Sequence, residues 1–103
     1  MKPDFDACSD RSEILTALCQ LMHDVRKRLN LKAADVARLA NFSEPTYYGM
    51  ESGKTHSSLD NFIRAFKAMK IYPSLALLAA ESVVDSKLPL KIDVDFLILN
   101  RMP

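Results

Sequence analysis

The 103-residue chain is short of several things, and each shortage closes off a class of protein. No apolar run exceeds LALLAA at residues 75–80, far below the roughly 20 residues that a membrane-spanning helix needs. With two glycines and five prolines the chain is not low-complexity, and it has no glycine-rich phosphate loop, so no nucleotide or other cofactor is expected. The two cysteines, Cys8 and Cys19, have neither metal-ligand nor redox-motif spacing and are expected as free thiols in a reducing cytoplasm. His23 and His56 lie far apart, without acidic or cysteine partners at ligand spacing, so no metal site is expected. His23 reads as a surface residue of the first helix and His56 as a loop residue. Nothing marks a strained nucleophile or an oxyanion site, so the chain reads as a binding protein and not an enzyme. Its opening MKPDFDACSD is acidic and interrupted by Pro3, unlike a signal peptide.

What is present is an ordinary globular composition, 49% hydrophobic and 26% charged, sized for one domain with a small core. The net charge is only +1, but it is unevenly spread. Between Arg26 and Lys70, nine Lys and Arg stand against four acids (Asp35, Glu44, Glu51 and Asp60), leaving +5. Such an excess can serve as a footprint for phosphates, or it can be a plain solvated surface.

Residues 1–11 show no periodicity and read as a flexible arm. From Ser12, a candidate N-cap, Ile14, Leu18, Met22, Val25 and Leu29 recur in steps of three and four, one face of a helix ending near Asn30. AADVARLA follows as a short second helix, with Val36, Leu39 and Ala40 on one side. NFS is a tight link, Ser43 can cap a third helix, and Pro45 sits in its first turn, where a missing N–H matters little. That helix stops at Gly53. A fourth, capped by Ser58, presents Leu59, Phe62, Ile63, Phe66 and Met69; a fifth opens at Pro73 and runs through Leu75, Leu78 and Ala79. After Ser82 the pattern changes, because LKIDVDFLI alternates apolar and polar residues as a strand does.

Two short helices joined by three residues, followed by Gly-Lys and an amphipathic helix, resemble the phage lambda-repressor and Cro-type helix-turn-helix family over roughly Leu18 to Leu78. The family's apolar-Ala-x-x-x-Gly at the end of helix two is met by Val36, Ala37 and, in place of Gly, Asn41. Its apolar-Glu-x-Gly-Lys at the end of helix three is met by Met50, Glu51, Gly53 and Lys54, and its Pro-Ser-apolar opening of helix four by Ser57, Ser58 and Leu59. The resemblance implies an all-α, five-helix domain over residues 12–84 that binds double-stranded DNA, with helix three entering the major groove. It implies burial of Tyr47 and Met50 against Val36 and Leu39, and a structural pair of Arg26 with Glu51.

It also implies which residues meet the DNA. Glu44, Pro45, Tyr48, Gly49 and Ser52 form the expected base-reading face, which carries no Arg, Gln or Asn. Gly49 departs from helix preference by roughly 1 kcal/mol relative to Ala. Lys32, Arg38, Ser43, Lys54 and His56 are the expected phosphate-binding set. Ala33 stands where the family commonly has a phosphate-binding Gln. Residues 85–103 are expected as a dimerisation segment. There a β-strand carries Leu90, Ile92, Val94, Phe96 and Ile98 on one face and pairs with its copy in a second protomer. The alternative is a sixth helix from Asp93 with Phe96, Leu97 and Leu99 buried at an interface. Two functional readings stay open: a homodimeric transcriptional regulator, or an antitoxin-like module whose partner is a toxin and which also regulates its operon. Neither involves a membrane.

Overall fold

A computed structural model of the chain describes the backbone over residues 3–53, 58–85 and 92–103, and the side chains of those residues from Glu13 onward. Among the described residues there are six helices and no strand: α1 (Pro3–Arg28), α2 (Ala33–Ala40), α3 (Glu44–Ser52), α4 (Leu59–Ala68), α5 (Pro73–Val84) and α6 (Val94–Leu99). None is long and apolar enough to cross a membrane.

The core is built by the three- and four-residue spacing that the sequence shows. From α1 come Leu18, Leu21, Met22 and Val25, from α3 Tyr47 and Met50, and from α4 Phe62, Ala65 and Phe66; all are buried. Helix ends are set locally. Ser43 and Ser58 accept hydrogen bonds at 3.3 Å from the N–H groups of Thr46 and Asn61, capping α3 and α4. Asn30, Asn41 and Lys70 take left-handed angles (φ 61°, 65° and 65°) just after α1, α2 and α4. In each case the next residue's N–H reaches back over the last turn: Leu31 to Arg26 O, Phe42 to Ala37 O, and Ile71 to Phe66 O, at 3.1, 2.8 and 2.9 Å. Each returning residue is apolar and folds onto the core, as this type of helix end favours.

Several elements differ from the sequence reading. Helix α1 begins at Pro3, so residues 3–11 are helical where a flexible arm is expected. On α2 the buried face is Ala33, Val36, Ala37 and Ala40, while Leu39 is 56% exposed. Likewise α5 turns Ala76, Ala79 and Ala80 inward, with Leu75 half-buried and Leu78 exposed. Both helices approach their neighbours through alanine, which brings backbones close and leaves the bulky leucines at the margin.

Among the described residues the expected carboxyl-terminal strand is absent. Asp93 instead caps α6, its carboxylate accepting from the Phe96 N–H at 3.0 Å. Ile92 and Leu97 join the core of their own protomer, with Val94 and Ile98 packed partly against it. Arg28 pairs with Asp95. The Met102 N–H donates to Lys70 O at 2.7 Å, and Arg101 Nε to Met69 O at 3.2 Å. A helix bonds backbone groups within one chain, which a solitary strand cannot do. Of Phe96, Leu97 and Leu99, only Leu97 is buried, and in its own protomer; Phe96 is 39% and Leu99 84% exposed. Leu90 lies outside the described residues.

Candidate nucleic-acid interface

The helix-turn-helix is α2, the link Asn41–Phe42–Ser43, and α3. Asn41 in its left-handed conformation turns the chain, and the Ser43 cap starts α3; the Ser43 hydroxyl also donates to Thr46 Oγ1 at 2.8 Å. The turn is held from α4. Arg64 donates to Ala40 O at 2.7 Å and Asn41 O at 3.1 Å while its guanidinium lies 4.5 Å from the centre of the Phe42 ring. Charge counting places Arg64 with the phosphate-seeking cations; the fold uses it to satisfy the carbonyl end of α2.

Tyr47 and Met50 anchor α3 in the core at 0% exposure, which turns Glu44, Pro45, Thr46, Tyr48 and Ser52 outward. Tyr48 is 53% exposed and is the largest side chain on that face. Gly49 is half-buried at its edge, and the Ser52 hydroxyl bonds back to Gly49 O at 3.2 Å. Thr46, to which the family resemblance assigns no role, is exposed beside them, its Oγ1 accepting from the Ser43 hydroxyl.

At the other end of α3, Arg26 and Glu51 meet. Arg26 Nε donates to Glu51 Oε2 at 2.6 Å and Nη2 to Oε1 at 3.1 Å, a forked pair whose side chains are only 12% and 9% exposed. Arg26 Nη1 donates to Leu31 O at 3.0 Å, tying the α1–α2 connection to the same group. His23, expected as a surface residue, reaches Glu51 Oε1 with Nδ1 at 2.9 Å. Burial alone would raise the Glu51 carboxyl, but the Arg26 hydrogen bonds, with the nearby Tyr47 phenol and His23, outweigh it and hold the carboxyl below its ordinary value. The Glu51 hydrogen bond in turn raises the Arg26 guanidinium. Burial first, then the adjacent Glu51 carboxylate, drives the Tyr47 phenol far above its usual range. Among the described residues the Tyr47 hydroxyl has no hydrogen-bond partner.

Of the expected phosphate contacts, Lys32 and Ser43 are exposed at the starts of α2 and α3, and Arg38 is exposed with only a 3.4 Å contact to Asp35. Lys54 and His56 lie outside the described residues. The basic excess is partly engaged within the chain: Arg26 and Arg64 are half-buried and bonded as above, and Arg28 pairs with Asp95 at the surface. Of the described cations in the same stretch, Lys27, Lys32, Arg38, Lys67 and Lys70 are exposed as well.

A family model described as helix-turn-helix, of the lambda-repressor and Cro type, matches residues 22–75, just over half of the chain. Searches of curated proteins and of solved structures returned no significant match. The matched span runs from the last two turns of α1 into α5, and so includes the capped turn, the anchored α3 and the Arg26–Glu51 pair described above. The chain belongs to the lambda-repressor and Cro-type helix-turn-helix family of DNA-binding transcriptional regulators.

Proposed function

We propose that the protein is a repressor that binds a palindromic operator as a homodimer in the cytoplasm of a bacterium or in phage-infected cells. Each protomer sets α3 in a major groove, with half-sites about one helical turn apart. The observation that carries this reading is the division of α3: Tyr47 and Met50 lock it into the core, and Tyr48 stands out on the open face between Glu44 and Ser52. Tyr48 can press its ring on a thymine methyl or donate to a base, and Glu44 can accept from cytosine N4. Lys32, Arg38 and Ser43 supply phosphate contacts around the helix starts, joined by Lys54 and His56 from the α3–α4 connection. Pro45 and Gly49 add no donor, so DNA shape carries much of the specificity. Exposed apolar side chains, Leu78, Val83 and Leu99 among them, offer surface for a second protomer.

A second reading, an antitoxin-like module that acts mainly through a protein partner, is favoured by one observation. The sequence EPTYYGMES of α3 contains no Arg, Lys, Gln or Asn. Selection of bound DNA from a random pool at several salt concentrations separates the two. An enriched palindrome with steep salt dependence supports the repressor. Recovery of unenriched DNA at every salt refutes it and leaves the protein-binding role.

A further inference from the structure

Glu51 holds more partners than its family-type pairing with arginine requires. The Arg26 fork occupies Oε2 and one lone pair of Oε1, and His23 takes up the other approach to Oε1 at 2.9 Å. With the Glu51 side chain only 9% exposed, little water can replace the His23 donor on Oε1, whose other hydrogen bond, from Arg26 Nη2, is the longer one at 3.1 Å. His23 is thus a second donor to Oε1, reaching Glu51 from the same helix as Arg26.

The geometry also fixes the histidine. An ionised carboxylate only accepts, so Nδ1 must carry a hydrogen whether the ring is neutral or cationic. The 3.4 Å approach of Arg26 Nη2 to the same nitrogen then sets two donors side by side and is not a bond between them. The two residues, one turn apart on α1, close on Glu51 from the same helix. Glu51 sits on the last turn of α3, two residues before the left-handed Gly53. The ends of α3 are thus held by different means: a local serine cap at its start, and a cross-helix clamp at its end.

We propose that His23 is a positioning residue for DNA recognition: its Nδ1–H, together with Arg26, fixes the last turn of α3 against α1 and so the angle at which the recognition face is presented. This rests on the reading of α3 as the recognition helix, but the positioning itself is measurable without DNA. His23→Asn keeps an N–H donor close to the position of Nδ1 and removes Nε2. His23→Gln and His23→Ala remove the donor at that point. Amide hydrogen exchange of Met50, Glu51, Ser52 and Gly53 in the free protein should quicken by about tenfold in the Gln and Ala variants and stay within about twofold of the parent in the Asn variant. Affinity for a selected operator should follow the same order, with random DNA less affected. Parent-like exchange in the Ala variant would overturn the proposal, and so would an Asn variant as fast as Ala. An Asn variant that retains slow exchange but loses operator affinity as fully as Ala does would also overturn it, assigning His23 instead to a phosphate contact through Nε2. If no variant and no parent binds DNA, the exchange data still decide the positioning role, and only the DNA-binding reading fails.

Discussion

Replacing Glu51 with alanine removes three hydrogen bonds at once, at 2.6, 3.1 and 2.9 Å, and their consequences differ. His23 is 40% exposed and can turn to water at little cost. Arg26, at 12% exposure, cannot; it keeps only the Leu31 carbonyl at 3.0 Å. The stranded guanidinium therefore dominates, and the expected loss is about 3 kcal/mol, the lower end for breaking a buried pair because some water reaches Arg26. In a domain of this size that lowers the melting midpoint by at least about 12 °C in a circular-dichroism melt. A double variant, Arg26→Met with Glu51→Met, should recover most of the loss, since apolar replacements leave no charge uncompensated. Acid titration gives a second handle. Glu51's folded-state value lies below its unfolded one, so its contribution to stability is present above about pH 4.3 and is lost as pH falls through the lowered value. Glu51→Gln should therefore melt lower than the parent near neutrality and converge toward it in acid. A Glu51→Ala midpoint within about 2 °C of the parent would refute the reasoning.

Other outcomes follow from the same geometry. Leu97→Ala, emptying a site at 1% exposure, should destabilise the whole domain by about 2–4 kcal/mol in one cooperative denaturant transition; loss confined to the terminus would show that α6 is not part of the core. Lys70→Gly relieves a left-handed non-glycine residue and should stabilise by about 0.5–1 kcal/mol, measured as a higher urea midpoint; a lower midpoint would mean that its side chain contributes. Arg38→Ala should weaken binding to all DNA alike and flatten the log–log salt slope by about one unit; an unchanged slope would remove it from the phosphate contacts.

How much of this was legible in sequence depended on how far the deciding partner lay along the chain. The caps Ser43, Ser58 and Gly53 act within a turn or two, and residue type alone pointed to them; the left-handed Asn41 is as local, but the family pattern drew attention to it. Arg26 with Glu51 was accessible only through family position, as 25 residues separate them. His23 and Arg64 act across 28 and 24 residues, and nothing in their neighbourhoods signals Glu51 or the Ala40 carbonyl. The tail misled for a physical reason. LKIDVDFLI has an alternation that suits a strand, but Asp93 is also a helix cap, and Ile92 and Leu97 find places in the core of their own protomer. Tertiary burial and backbone self-satisfaction outweighed a seven-residue pattern. The alanine faces of α2 and α5 carry a weak hydrophobic signal, which is why Leu39 and Leu78 were read as core.

If the outward face of α3 reads DNA as proposed, Tyr48 is its principal reader. The most direct measurement is fluorescence anisotropy of the parent and Tyr48→Ala on a selected operator and on random duplex at the same salt concentration. The Tyr48→Ala variant is expected to lose about tenfold or more on the operator, equivalent to at least about 1.4 kcal/mol, with little change on random DNA. Equal losses on both duplexes, or none on either, would contradict it.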